Sequence, residues 1–131
     1  DRVLVDAPCS GLGTLRRNPD LKWRQSPQSV QERGVKQTAI LQSAARLLKP
    51  GGRLVYATCS VLPQENEGIA QAFGAANGDF KPLDVAELLS HLKVEHAASL
   101  CSGPVRGTEY LRLWPHRHGT DGFFAAAWVK K

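Results

Sequence analysis

Two cysteines occupy similar places in this sequence. Cys9 lies in DAPCSG, directly behind the apolar run Val3-Leu4-Val5, and Cys59 ends LVYATC; each is followed by a serine, Ser10 and Ser60. A thiol becomes a nucleophile as the thiolate, so two of them near one ligand are candidates for chemistry. Taken singly, each fits equally well as a small, inert buried residue. Asp6 closes the first apolar run and offers a carboxylate to a ligand or a cap to a loop. Pro8 fixes the turn that aims Cys9, or is an ordinary turn proline.

A basic stretch follows, Arg16-Arg17-Asn18-Pro19-Asp20-Leu21-Lys22-Trp23-Arg24. Arg16, Arg17, Lys22 and Arg24 have the charge to track phosphates, and Trp23 can stack on an unpaired base. A solvated loop with Trp23 anchored to the core is the competing reading. His91, His96, His116 and His118 share no spacing with the cysteines that suits zinc, so no metal site is expected. Cys101 sits in a polar Ser-Gly-Pro context and reads as incidental.

The elements that would place these groups are legible in outline. Arg2 to Asp6 and Arg53 to Thr58 read as short strands, the first buried on both faces as in a parallel sheet. Residues 10 to 35 read as a long loop with one helical turn, a length usually tied to function. From Gln37 to Leu48 the residues Ile40, Ala44, Leu47 and Leu48 mark one face of an amphipathic helix, stopped by Lys49-Pro50-Gly51-Gly52. That Gly-Gly precedes a strand, so it is a helix stop and not a phosphate cradle. Pro63 opens a further helix at a first-turn position, with Glu65 and Glu67 near its positive end and Ile69, Ala70 and Phe73 on its apolar face. Residues 80 to 105 are ambiguous, with a short helix over 85 to 92 and a strand nearby. Glu109 to Trp114 and Phe123 to Val129, joined by the polar turn His116 to Gly122, read as an antiparallel hairpin.

Strand, helix, strand, helix is the pattern of a parallel α/β sheet, in which ligands bind beyond the carboxyl ends of the strands. Cys9 and Cys59 both lie there, so two neighbouring strands would bring them to one crevice across fifty positions.

The 131 residues hold 42% hydrophobic side chains and no apolar run near the ~20 residues of a membrane span. Three cysteines in no framework spacing indicate a reducing compartment, taken as the cytoplasm. Seventeen basic against twelve acidic side chains give a net charge of +5, which suits a polyanion.

DAPCSG with its basic, proline-containing loop, then KPGGRLVYATCS, then PQENE, then the closing HGTDGFFAAAWVKK resembles the RNA cytosine-5 methyltransferases of the Sun (Fmu) family, over nearly the whole chain. The resemblance implies a class I (Rossmann-like) methyltransferase sheet and S-adenosylmethionine as cofactor. It makes Cys59 the nucleophile toward C6 of cytosine and gives Cys9 the release of the methylated product. It places Asp6 and Pro8 against the cofactor, and it brings His118 near the site. RNA is the implied partner, bacterial ribosomal RNA ahead of others. Glu65 and Asn66 match a family motif, and either belong to the site or cap and orient the helix after Cys59. The glycine-rich cofactor loop and its acidic partner have no match here. The chain is therefore expected to be the C-terminal half of one catalytic domain, with two parallel βα units and a hairpin. By itself it should be inactive, a poor cofactor binder, and prone to self-association through an exposed sheet edge. A thiol redox protein using Cys9 and Cys59, and a non-catalytic RNA-binding module with structural cysteines, are the alternatives.

Overall fold

β1 (Arg2–Asp6) leads through α1 (Leu21–Arg24) and the long α2 (Pro27–Ala45) to β2 (Arg53–Thr58), in a computed structural model that describes residues 1–103 and 107–131. β1 and β2 pair in parallel, from Arg2 opposite Arg53 to Asp6 opposite Ala57. Their carboxyl ends therefore stop level with each other, and the two cysteine-bearing turns leave from the same end of the sheet. α3 (Glu67–Ala76), β3 (Phe80–Leu83), α4 (Val85–His91), β4 (Leu111–Leu113), α5 (Pro115–His118) and β5 (Phe123–Lys130) complete the order.

The sheet is mixed, with order β1-β2-β5-β3. β5 runs antiparallel to β2, and its far edge is shared end to end by β3 and β4, both antiparallel to it. The expected hairpin is present as Leu111 to Leu113 against Phe123 to Ala125, with α5 inside its connection. Side chains alternate across a strand, so Val3, Val5, Leu54, Tyr56, Phe124, Ala126 and Trp128 share one face. They form the core with Leu41, Ala44 and Ala45 of α2 and with Ile69, Ala70 and Phe73 of α3. Phe73 meets the rings of Phe80 and Trp128 edge-on, at centroid distances of 5.3 and 4.9 Å.

Four expectations need correction. α2 begins at Pro27, inside the stretch read as loop. Ser26 and Ser29 form a reciprocal capping box around its first turn, with Pro27 where a missing N–H costs nothing. Its buried stripe is Gln37, Leu41, Ala44 and Ala45, continued by Leu48 in the following turn, while Ile40 and Leu47 face outward. A polar residue, Gln37, heads the inward face because its amide has buried acceptors, and this shifts the phase from the one that aliphatic residues alone suggest. α3 starts at Glu67, and Pro63 instead begins the turn before it, where Asn66 N–H and Gly68 N–H both donate to Pro63 O. β1 is not buried on both faces. Among the described residues it has a strand on one side only, and Leu4 is 68% exposed.

The ambiguous stretch resolves into β3 and α4, with Asp84 accepting from Glu87 N–H at the start of α4. Positions 104 and 105 of that stretch lie outside the described residues.

Candidate active site

The two thiols meet. Cys9 Sγ lies 3.4 Å from Cys59 Sγ, and both cysteines are free and half-buried. Parallel register supplies the coarse placement, and three further contacts refine it. Gln37 Nε2 donates to Pro8 O (2.8 Å), fixing the turn just before Cys9. Gly13 N–H donates to Cys59 O (2.8 Å), and Gly122 N–H donates to Gly13 O (2.7 Å), so the segments around residues 13, 59 and 122 cross at one point. Only glycines permit that crossing. A Cβ on Gly13 would lie 2.3 Å from Gly122 O and 2.5 Å from Cys59 O, and one on Gly122 would lie 2.9 Å from Gly13 Cα.

The repeated serine also has a physical reason. Ser10 Oγ and Ser60 Oγ both donate to Oε1 of Glu65, at 2.6 and 2.5 Å. Ser10 N–H (2.8 Å) and Gln37 Nε2 (3.1 Å) donate to Oε2. Glu65 has no exposed surface, and a buried carboxylate persists only where donors replace its water. Its backbone is held as well, because Tyr56 OH donates to Glu65 O. Asn66 completes the second turn, accepting from Thr58 Oγ1 and donating to Ser60 O. Neither residue caps a helix through its side chain: they tie the turn after β2 to the turn after β1.

The electrostatics of the thiols are unequal. A hydrogen bond from Cys9 lowers the Cys59 thiol to about 7, against burial and the nearby Asp6 and Glu65, which raise it. Cys9 moves far the other way, first because it donates that hydrogen bond, then through burial and the adjoining Cys59 charge. With Cys9 pushed well above its ordinary range and Cys59 lowered to about 7, Cys59 is the thiol that gives up its proton first, near neutral pH.

Asp6 stands exposed at the end of β1, paired with β2 through its backbone, and its carboxylate makes no hydrogen bond or ion pair among the described residues. An exposed, unpartnered carboxylate beside the thiols fits a polar or cationic ligand group such as the sulfonium of S-adenosylmethionine. Asp6 and the exposed Pro8 turn beside it are the surface this chain leaves open there.

The basic loop divides in two. Arg16 and Arg17 both donate to Asp121, Arg16 at 3.0 Å and Arg17 at 2.5 to 3.1 Å, and Arg16 also reaches Gly119 O. These two cations, expected to track phosphates, pin the loop to the β4–β5 connection. Arg24 pairs with Asp20. Lys22 lies 4.9 Å from the centre of the Trp23 ring, and Trp23 is 80% exposed, which removes the reading of Trp23 as a core anchor.

Hydrogen bonds from Arg17 and Arg16 hold the Asp121 carboxyl below its ordinary value of 3.8. A depressed folded value means that its stabilising contribution is complete above the ordinary range and is lost as pH falls through the folded value. Asp121→Asn should therefore lower the melting temperature at neutral pH. The gap to the unmodified chain should close in acid below about 3.8, as followed by thermal unfolding across pH.

Several of these residues escaped sequence reasoning. Nothing local marked Gln37, Gly13 or Asp121 as site-building, although the Asp-Gly of the closing segment was a turn signal. Arg112 is a buried cation paired with Glu67 and flanked by the rings of Trp114 and Phe124, and burial lowers its pKa. It went unremarked. His118 accepts from Trp114 N–H through Nδ1 and contacts Ser99 O through Nε2, holding α5 in place, with no bond to the thiols. Cys101 is buried and donates to Ala97 O, and its thiol is pushed up to about 11 by burial. Among the described residues no group of three or more His, Cys, Asp or Glu could hold a metal, and no helix is long and apolar enough to cross a membrane.

The family described as 16S rRNA methyltransferase RsmB/F matches residues 1–129. The ribosomal RNA small subunit methyltransferase B of Klebsiella pneumoniae is 42% identical over 131 residues, which are 100% of this chain and 26% of the relative. The crystal structure of PH0851 superposes with a TM-score of 0.82 at 41% identity, covering 99% of this chain and 26% of the other. NSun6 from Pyrococcus horikoshii with SFG follows at a TM-score of 0.73 and 28% identity, covering 97% of this chain and 29% of that one. The chain thus spans about a quarter of the length of the relatives it matches. Matched almost from end to end in sequence and in fold, the chain belongs to the 16S rRNA methyltransferase RsmB/F family.

Proposed function

We propose that this chain carries the catalytic thiols of an S-adenosylmethionine-dependent RNA cytosine-5 methyltransferase that acts on small-subunit ribosomal RNA. One observation carries the reading: two thiols of opposite proton affinity, 3.4 Å apart, at the level carboxyl ends of neighbouring parallel strands. The small-subunit methyltransferase relative favours the RNA class. A structural neighbour solved with SFG, an S-adenosylmethionine analogue, favours the cofactor.

C5 of cytosine is too poor a nucleophile to take a methyl group directly. Cys59, already a thiolate near neutral pH, adds to C6 and moves the ring electrons to C5. Bound S-adenosylmethionine supplies a methyl group activated on a sulfonium. Asp6, at the mouth of the crevice, accepts from the N3/N4 edge of the ring and holds it there. After methyl transfer, the C5 proton must leave so that the C5–C6 double bond re-forms and the Cys59 sulfur departs. Cys9 serves this step. Once Cys59 is bonded to C6 it no longer carries the charge that kept Cys9 protonated, so the affinity of Cys9 for its proton relaxes toward that of an ordinary thiol. Cys9 can then lose that proton to solvent and, as the thiolate, take the C5 proton. The exposed Trp23, with Lys22 beside it, provides a stacking face for an unpaired base. Trp23→Ala in the full-length protein should weaken binding to single-stranded target RNA by about 1–3 kcal/mol with the thiol chemistry unchanged, as measured by filter binding.

The reading is tested by mixing the full-length protein with target RNA carrying 5-fluorocytosine, whose C5 fluorine cannot leave as a proton. A covalent protein–RNA product resistant to denaturant supports the proposal, and its absence in the presence of cofactor rejects it. A dithiol redox role draws on the same close sulfur contact. It predicts rapid disulfide formation at a potential near the cellular glutathione poise, and no RNA adduct.

A further inference from the structure

The buried carboxylate between the two cysteine turns has more contacts than a filler needs. Glu65 accepts four hydrogen bonds, from Ser10 N–H, Ser10 Oγ, Ser60 Oγ and Gln37 Nε2, and all four donors are neutral. No cation pairs with it among the described residues. Burying an acid without a counter-charge is costly, and an apolar or amide side chain of similar volume would fill the same space at lower cost. An apolar side chain would accept from neither turn, and an amide, with one acceptor oxygen, would set its NH2 against the Ser10 N–H and Gln37 Nε2 donors. Oε1 alone bridges the hydroxyl after Cys9 and the hydroxyl after Cys59, fifty residues apart. Gln37 extends the bracket to the other side of Cys9, since the same amide nitrogen reaches Pro8 O and Glu65 Oε2. Cys9 is thus gripped at Pro8 and at Ser10, and Cys59 at its own carbonyl and at Ser60.

We propose that Glu65 is a positioning residue for the dithiol. It clamps the two cysteine turns together, and through them it sets the 3.4 Å separation of the two sulfurs. Glu65 touches neither sulfur. Its influence on them runs through Ser10 and Ser60, which is the physical use of the serine that follows each cysteine. The thiol part of this inference stands on geometry alone, and only its consequence for methyl transfer rests on the reading above.

Two effects of Glu65 on Cys59 have opposite signs, which makes the role testable. As a nearby charge, Glu65 raises the Cys59 pKa, so removing the charge alone would lower it. As the clamp, it maintains the Cys9 hydrogen bond, which is the largest influence lowering that pKa, so loosening the clamp raises it.

The experiment measures iodoacetamide alkylation of Cys59 in the full-length protein as a function of pH, resolved at the Cys59 peptide by mass spectrometry. The unmodified protein should inflect near about 7. Glu65→Gln should inflect more than about one unit higher. It should also react roughly threefold more slowly at neutral pH, because the smaller thiolate fraction is partly offset by its greater nucleophilicity. Ser10→Ala and Ser60→Ala each remove one hydroxyl donor and leave the carboxylate in place. They should shift the inflection the same way by less, and they carry the test if Glu65→Gln does not fold. An inflection that is unchanged or lower in any of these variants, with circular dichroism showing a folded chain, overturns the clamp. No RNA or cofactor enters this measurement, so a failed adduct test would leave its result standing, and the reverse also holds.

Discussion

In the full-length protein, Cys9→Ser should accumulate a covalent adduct with ordinary cytosine-containing RNA, while Cys59→Ser should form none, even with 5-fluorocytosine. Cys59→Ser replaces a thiolate poised near neutrality with a hydroxyl that stays protonated, so methyl transfer should fall by roughly a thousandfold or more. Cys9→Ser behaves differently. A serine hydroxyl can still donate toward Cys59 across the 3.4 Å contact, so the attacking thiolate survives. It is a far weaker base than a thiolate, however, and the C5 proton stays in place after the methyl group arrives. The enzyme should therefore stop with its sulfur bonded to the RNA, visible as a shifted band on a denaturing gel. An inactive Cys9→Ser protein that shows no adduct would remove the division of labour proposed for the two cysteines.

Gly13→Ala should be among the most damaging substitutions outside the thiols. The added carbon would press on two carbonyl oxygens, those of Gly122 and Cys59, and neither can rotate away as a side chain would. Relief requires the three crossing segments to separate, which breaks the Gly13 N–H to Cys59 O and Gly122 N–H to Gly13 O bonds. Overpacking of this kind costs about 1–3 kcal/mol, occasionally more, and the two lost bonds put this case at the upper end. Thermal unfolding should show the loss directly, as a fall in melting temperature of roughly 10 °C. The same displacement moves Cys59 away from Cys9, so Cys59 alkylation should also slow at neutral pH. Unaltered stability would mean that the three segments do not share this crossing.

The convergence of Cys9 and Cys59 was legible because parallel strands place their carboxyl ends together, and both cysteines sit just past such ends. The apolar face of α3 was legible for the usual reason, since Ile69, Ala70 and Phe73 recur at helical spacing. The first half of α2 was not: residues 28 to 36 are mostly polar, and a solvent-facing helix start looks like loop unless the Ser26-Pro27 cap is given its weight. The phase of α2 failed at Gln37, where a buried amide does the work that the pattern assigns to an aliphatic side chain. The exposure of Leu4 could not be read from β1 itself, because an apolar run does not show whether the second face of its sheet is covered. The Glu65 clamp was invisible for a deeper reason. Its partners lie 55, 28 and 5 positions away, and hydroxyl donors leave no periodic trace.

The placement of β5 bears on how the protein is made. All three strands that pair with it precede it in the chain, so each must wait for the last of the four to leave the ribosome. Until then β2 has only β1 beside it, and β3 and β4 have no strand to join. Such long-range closure is slow, and it leaves strand edges open to wrong partners while it is pending. The turn before β5 carries Asp121 and Gly122, so the basic loop is fastened and the cysteine turns are locked in the same late event. A chain lacking this strand would lack the Gly122 N–H to Gly13 O bond that crosses beside the cysteine turns. In this architecture, the crossing of the segments around residues 13, 59 and 122 closes only once β5 has been made.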